Sequence, residues 1–200
     1  MKAIAIFNPE VNNGISGRVV FTQKTRDSNT EIYIDLHGFK LFNTNVHAIH
    51  IHEYGDLTEG CKSLGSHYNP YNELHGNIEI NGKKRHVGDL VNNIVPDIYG
   101  NVKLRYVDNL VKLFGPRNIF GRSVVIHALP DDLGLKGTLI NCQFVEYKNL
   151  SEKNLRILCR QRNYKNVKTK TQMINKLNKE SKSTGNAGQR IACAIIGISK

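Results

Sequence analysis

The chain has 200 residues, a formal net charge of +11 and 40% hydrophobic residues, which suits one domain, or one domain with a sizeable insertion. No apolar run approaches the ~20 residues of a membrane span, and the first apolar run is too short for a signal-peptide core, so we expect a cytoplasmic protein (of the host cytoplasm, if the chain is viral) and exclude a membrane protein. The four cysteines form no CxxC pair, which argues against a thiolate zinc site.

The basic charge is concentrated in one segment. Residues 135–183 contain 12 Lys and Arg against 3 Asp and Glu, whereas the rest of the chain carries 16 basic and 14 acidic residues. The explanation for the net charge must therefore be local to this segment.

Residues 1–134 are typical of short β-strands, because apolar and polar residues alternate between turn residues. In chain order, strands are predicted over residues 2–8, 14–23, 30–38, 46–55, 101–109 and 122–129, with a last strand over 190–199. About eight such strands favour a β-sandwich or barrel. Residues 54–85 lack strand pattern and are rich in Gly, Asn, His and Tyr. A loop of this length inside a compact domain is usually functional.

The pattern changes after Leu135. Residues 137–147 are compatible with one more strand, and Ser151 is a suitable N-cap for a helix. Helical spacing then places Leu155, Leu158 and Cys159 on one face, and a second group, Met173, Ile174 and Leu177, on one face of another short helix. A small helical module is therefore predicted, after which the β pattern resumes at Gly185.

Nearly all of the eight histidines lie at spacings that suit a two-metal site. In a strand, His50 and His52 point to the same side, and His127 lies on another predicted strand. The remaining candidates come from the long loop and the residues that follow it: His67, His75, His86 and Asp89. Imidazole nitrogen suits copper and zinc, and a carboxylate can complete a zinc tetrahedron. His47 is predicted to be a hydrogen-bonded core residue.

The motifs HAIHIHEYGD, GCKSLGSHYNP, RHVGDL, GRSVVIHALPDDLG and STGNAGQRIACAIIGI occur in this order. They resemble those of the copper/zinc superoxide dismutases, and the resemblance covers residues 1–134 and 183–200. It implies an all-β fold, an eight-stranded Greek-key barrel or sandwich of immunoglobulin-like architecture, with long metal-binding and electrostatic loops. Residues 135–182 would be a basic helical insertion in the electrostatic loop. The implied activity is dismutation of superoxide to oxygen and hydrogen peroxide in antioxidant defence, by a homodimer.

The resemblance also implies a role for each site residue, with one copper and one zinc ion per subunit. The copper ligands would be His50, His52, His67 and His127. The zinc ligands would be His67, His75, His86 and Asp89, so that His67 bridges the two ions and takes part in proton transfer. Asp131 would link a copper-ligand to a zinc-ligand histidine. Arg190 would attract the anion, Thr184 would line the substrate channel, and Cys61 would form a disulfide with Cys193.

The chain departs from the family pattern around the insertion. Leu129 and Ser183 stand where many members carry a lysine, so two anion-steering charges are missing. Gln189 and Ile191 flank Arg190 in place of prolines, which suggests that no copper chaperone is required. The insertion itself resembles a SAP-type helix–turn–helix, a small module often used on DNA. Two alternatives therefore stay open: a non-catalytic copper-handling relative, and a nucleic-acid-binding protein that acts through residues 138–182.

Overall fold

The computed structural model describes residues 1–41, 45–140 and 143–200. Within these ranges the chain forms β-strands and α-helices with the following bounds: β1 Lys2–Phe7, β2 Ser16–Thr22, β3 Thr30–His37, β4 His47–His52, α1 Ile78–Asn81, β5 Asp89–Ile94, β6 Val102–Asp108, β7 Ser123–His127, β8 Gly137–Ile140, β9 Gln143–Glu146, α2 Glu152–Gln161, α3 Lys170–Thr184 and β10 Arg190–Ile198. No helix in the described ranges has the length and hydropathy needed to cross a lipid bilayer.

Eight strands form one antiparallel sheet in the order β5-β4-β7-β10-β1-β2-β3-β6. The sheet curls into a nearly closed barrel. Strands β4 and β7 are neighbours in the sheet although they are not consecutive in sequence. The predicted eight-stranded barrel is confirmed, including its strands at residues 2–8 and 190–199.

The barrel interior is filled by the apolar half of each alternating strand. In β4, Ile49 and Ile51 are fully buried in the main core, beside Val124 and Ile126 of β7. The histidines that alternate with these residues therefore point to the outer side of the same two strands. They are nevertheless buried, because every residue of β4 and β7 is buried. The outer side of β4 and β7 is thus a covered polar layer, and it positions the site.

Strand β5 was not predicted from the sequence. Its register with β4 shifts between Ile49 and His50, and Asn92 lies in it with a φ of 61°. A left-handed residue is unusual inside a strand, and it interrupts the alternation by which strands are recognised. The Asn92 side chain donates to the Gly76 carbonyl at 2.7 Å, which fastens the long loop to the barrel edge. Helix α1, inside that loop, was not predicted either.

The segment after Leu135 has a small core of its own, formed by Tyr147, Leu150, Leu155, Cys159, Met173 and Leu177. The predicted strand there is a hairpin, β8–β9. Ser151 caps α2 as predicted, accepting from the Asn154 amide at 3.2 Å. Helix α3 is longer than its apolar pattern suggested and ends at Thr184, followed by Gly185 at a φ of 63°. Cys159 is a buried free thiol, and Cys142 lies outside the described residues.

Candidate metal centre

The side chains predicted to bind copper form one buried cluster. Strand β4 contributes His50 and His52, β7 contributes His127, and the long loop contributes His67, which sits beside His52 in an isolated bridge. One ligand nitrogen from each lies within 4.8 Å of the others. The Nε2 atoms of His52 and His127 are 3.4 Å apart. The structure therefore brings these four predicted residues together.

The predicted zinc ligands form a second buried cluster that shares His67 with the first. Asp89 Oδ1 lies 2.9 Å from Nδ1 of His67, 2.9 Å from Nδ1 of His75 and 3.2 Å from Nδ1 of His86. Three imidazole nitrogens and one carboxylate oxygen converging on one point are a donor set that suits tetrahedral zinc.

Backbone carbonyls fix which nitrogen of each copper-cluster histidine faces inward. Nδ1 of His52 bonds the Gly65 carbonyl at 3.0 Å, and Nδ1 of His127 bonds the Gly188 carbonyl at 3.3 Å. Each of these Nδ1 atoms carries the proton and donates it, because a carbonyl oxygen can only accept. The Nε2 lone pairs of His52 and His127 are therefore left pointing into the cluster, as metal binding requires.

Three buried ring nitrogens make no well-aligned hydrogen bond within the described residues: His50 Nδ1, His67 Nε2 and His86 Nδ1, the last of which only approaches Asp89 Oδ1 at 3.2 Å. A buried unpaired polar atom costs free energy, and three in one place need an explanation. All three belong to the two clusters, with His67 Nε2 on the copper side and His86 Nδ1 on the zinc side. Copper and zinc would satisfy these atoms, so the residues present fit both metals.

The Asp131 carboxylate contacts one histidine of each cluster. Its Oδ2 lies 2.6 Å from His50 Nε2, and its Oδ1 lies 2.9 Å from His75 Nε2. Asn92 Nδ2 also donates to Oδ2, at 3.3 Å. Such a carboxylate orients imidazoles and raises their basicity as ligands. The structure thus brings Asp131 into contact with one histidine of each cluster.

The pKa values of the buried histidines shift in opposite directions in the metal-free protein. Burial, together with the neighbouring His50, lowers the pKa of His67 to about 3. Burial also lowers the pKa of His52 and His127 well below the usual value. At His75 burial acts the same way, but the carboxylates of Asp131 and Asp89 outweigh it and raise the pKa to about 10. His52, His67 and His127 are thus held neutral, whereas His75 holds a proton in the absence of metal.

A cavity of about 340 Å³ opens onto the copper cluster, and Arg190 and Thr184 are among the residues that line it. The Arg190 guanidinium donates to the carbonyls of Cys61 at 2.7 Å and Gly65 at 2.5 Å. Burial lowers its pKa. Cys61 and Cys193 form the predicted disulfide, with their Cα atoms 5.8 Å apart. The bond ties the loop that holds Arg190 to the last strand.

The cavity also contains side chains that the sequence did not reveal as site residues. They come from the helical segment and are Arg162, Asn163, Tyr164 and Glu180. Only the excess of basic residues hinted at them, because their approach to the histidines depends on how the insertion folds back.

The family model described as copper/zinc superoxide dismutase matches residues 15–159. The chain belongs to the copper/zinc superoxide dismutase family. The Cu-Zn superoxide dismutase of Neurospora crassa is 37% identical over 201 aligned residues, which cover 100% of this chain and 99% of the relative. The extracellular Cu-Zn superoxide dismutase of Drosophila melanogaster is 36% identical, covering 94% of this chain and 78% of the relative. A crystal structure of the clock protein EA4 has a TM-score of 0.68 and 31% identity, covering 99% of this chain and 94% of that one.

These similarities confirm the predicted family, barrel and enzyme class, an oxidoreductase. They do not favour the copper-handling or nucleic-acid alternatives. The two histidine clusters could bind metal ions, and the family implies copper and zinc.

Proposed function

We propose that this copper/zinc superoxide dismutase converts superoxide to oxygen and hydrogen peroxide with the residues that the sequence singled out. His50, His52, His67 and His127 hold copper, and His67, His75, His86 and Asp89 hold zinc, one ion of each per subunit. The main support for this function is the position of the two ring nitrogens of His67. Its Nδ1 lies 2.9 Å from Asp89, while its buried Nε2 faces the other cluster without a partner.

Bound copper supplies the one-electron chemistry that dismutation needs, and bound zinc fixes the geometry of the shared histidine. The protein contributes a rigid set of ligands, because β4 and β7 are buried along their whole length. Asp131 keeps His50 and His75 in the tautomer that directs Nδ1 of each ring to its metal.

His67 and Arg190 would serve the substrate. Hydrogen peroxide formation consumes two protons, and His67 Nε2 is the ring atom that can hold and deliver one of them next to the copper cluster. Arg190 faces the same cavity with a permanent positive charge. A positive charge in a recessed cavity focuses the field that a small anion experiences and raises its capture rate. Thr184, on the opposite element, limits the width of the channel.

The experiment is superoxide decay by rapid mixing, with protein loaded with one equivalent of each metal and the metal content measured. The expected result is fast decay that depends on copper. Arg190→Gln should slow the decay at low ionic strength while copper content stays unchanged. Stoichiometric copper with no turnover would reject the dismutase function and favour a copper-handling role.

A homodimer is also proposed. Exposed apolar residues lie side by side on β1, β10 and the loop after β4: Ile6 is 66% exposed, Ile195 41% and Tyr54 52%. Gly55 in that loop packs closely against Gly121 and Ile195, so the patch is continuous. Contiguous exposed apolar surface is typical of interfaces. The paired substitutions Ile6→Lys and Ile195→Lys should give a monomer in sedimentation, whereas Ile98→Lys, in a distant exposed turn, should not.

The remaining assignments are proposals of the same kind. The barrel would comprise residues 1–134 and 183–200, and the insertion residues 135–182, which have their own core. A cytoplasmic location and independence from a copper chaperone are tested together by expressing the protein in cells with and without a chaperone gene, then measuring copper content and location.

A further inference from the structure

The cavity above the copper cluster has two walls of different origin. One wall belongs to the barrel and its loops, with Gly188, Gln189 and Arg190 among its residues. The other belongs to the helical insertion, which contributes Arg162, Asn163, Tyr164 and Glu180. An anion that approaches the copper cluster therefore passes between the barrel and the insertion.

Arg162, which follows α2, is the cation on the insertion side. It is only 8% exposed, and backbone carbonyls hold its guanidinium. Nε donates to the Asn186 carbonyl at 2.9 Å, and Nη1 donates to the Leu158 carbonyl at 3.2 Å. Nη2 has no hydrogen-bond partner within residues 1–41, 45–140 and 143–200, so its N–H groups are available to a ligand in the cavity.

The charge of Arg162 is not neutralised by a carboxylate in the part of the chain that the structure describes. Glu180 lines the same cavity, but it pairs with Lys176 at 2.8 Å. The hydrogen-bond partners of this guanidinium are neutral carbonyls, and the residue lines the cavity. Arginine is also well suited to anions, because it is always protonated and presents several donors in one plane.

A buried network fixes Arg162 relative to Arg190. Asn186, whose carbonyl accepts from Arg162, donates through Nδ2 to Asp132 at 2.7 Å and to the Leu177 carbonyl at 2.8 Å. Tyr164 in turn donates to Asn186 Oδ1 at 2.7 Å. Asn186 is fully buried and lies on the segment that leads to Arg190. Arg162 and Arg190 therefore both line the cavity, and hydrogen bonds join Arg162 to the segment that leads to Arg190.

We propose that Arg162 is a second anion-guiding residue of the channel, and that the insertion exists at this position partly to supply it. The inference rests on the proposed dismutase function and deepens it. The guanidinium on the insertion adds to the attraction that Arg190 exerts on small anions in the same cavity. Two cations lining one cavity attract small anions such as superoxide and oppose the approach of cations.

The test uses the holoenzyme with measured copper and zinc, in four forms: wild type, Arg162→Gln, Arg162→Lys and Arg160→Gln. Gln retains a donor but no charge, and Lys retains the charge. Arg160→Gln is the matched control, because Arg160 is an exposed arginine two residues away that does not line the cavity. The readouts are kcat/KM for superoxide against ionic strength, and the Kd of azide from the visible spectrum of the copper site.

At low ionic strength Arg162→Gln should lower kcat/KM by roughly two- to fivefold and flatten its salt dependence, since one of two guiding charges is lost. Azide should bind more weakly by a similar factor. Arg162→Lys should restore most of both, and Arg160→Gln should stay close to wild type.

Two results would overturn the proposal. The first is an equal effect of Arg162→Gln and Arg160→Gln, which would mean that only net charge matters. The second is failure of Arg162→Lys to restore azide binding although its Tm matches wild type. Azide binding needs no turnover, so an inactive wild-type holoenzyme would reject the dismutase function while the azide data still decide the role of Arg162.

Discussion

The barrel face that carries the histidines differs from the helical insertion in the interactions that hold it in place. Strands β4 and β7 are buried along their full length and hold their ligands by main-chain pairing inside one sheet. The insertion has a separate small core and docks onto the barrel mainly through polar contacts. This difference indicates that the metal geometry depends on the barrel, whereas the channel depends on both parts.

The docking contact is centred on Asp132, the neighbour of the linking Asp131. Its carboxylate accepts from Tyr147 Oη at 2.6 Å, Asn186 Nδ2 at 2.7 Å and Ser181 Oγ at 3.0 Å. Burial raises the pKa of Asp132, but these donors stabilise its charged form. A polar anchor of this kind fixes orientation strongly, because each missing partner would leave a buried group unsatisfied.

The largest effect should come from removing the residue that both clusters share. His67→Ala takes one ligand from each metal, and we expect dismutation to fall by more than about 100-fold, since even outer-shell changes cost 10–100-fold. Metal analysis and rapid-mixing kinetics check this result. Retained zinc affinity together with retained activity would contradict the bridging role.

The second largest effect should come from breaking the disulfide that joins the long loop to the last barrel strand. The disulfide closes a loop over 132 residues, and a loop of that size stabilises by about 2–5 kcal/mol. Cys61→Ser should lower the free energy of unfolding by that order and loosen the carbonyl that holds Arg190. Denaturant titration at fixed metal content measures the change. Cys193→Ser breaks the same bond and should lower the free energy of unfolding by the same order.

A third change should affect the insertion alone. Asp132→Asn replaces an acceptor of three hydrogen bonds by a group that also donates, so docking should weaken by about 1–3 kcal/mol. Hydrogen exchange in α2 and α3 should accelerate while β4 and β7 stay protected. Asp27→Asn, at an exposed loop position, should change neither region. Equal acceleration in the barrel strands would show that the two parts are not separable in this way.

The smallest expected effect is a proton count. His75, with its pKa raised to about 10, is protonated at pH 7 in the metal-free protein, whereas His67, with its pKa near 3, is neutral. Zinc requires neutral imidazole, so its binding should release about one proton at pH 7. Calorimetry in buffers of different ionisation enthalpy measures this number.

The raised pKa of His75 also affects the folding stability of the metal-free protein. The pKa of His75 is higher in the folded than in the unfolded state, so its pairing with Asp131 and Asp89 stabilises fully below about pH 6.5. That contribution is lost as the pH rises through about 10. Zero proton release on zinc binding would contradict this charge state.

The sequence predicted the parts of this protein whose information is local. Alternation identified β1 and β4, the spacing of the histidines indicated a two-metal site, and the resemblance to the family divided its residues into two clusters. Local pattern could not predict β5, because the left-handed Asn92 interrupts it, or the extension of α3 to Thr184, which depends on contacts with the barrel. Arg162 was equally hidden, since its place at the cavity depends on how Asn186 and Asp132 join distant segments. Nucleic-acid binding through residues 138–182 stays a prediction.

The most direct measurement of the central claim is anomalous X-ray scattering from crystals of the holoenzyme at the copper and zinc edges. We expect a copper peak among His50, His52 and His127 and a zinc peak among His75, His86 and Asp89. The ring of His67 should lie between the two peaks. A single peak, or two metals that do not share His67, would contradict it.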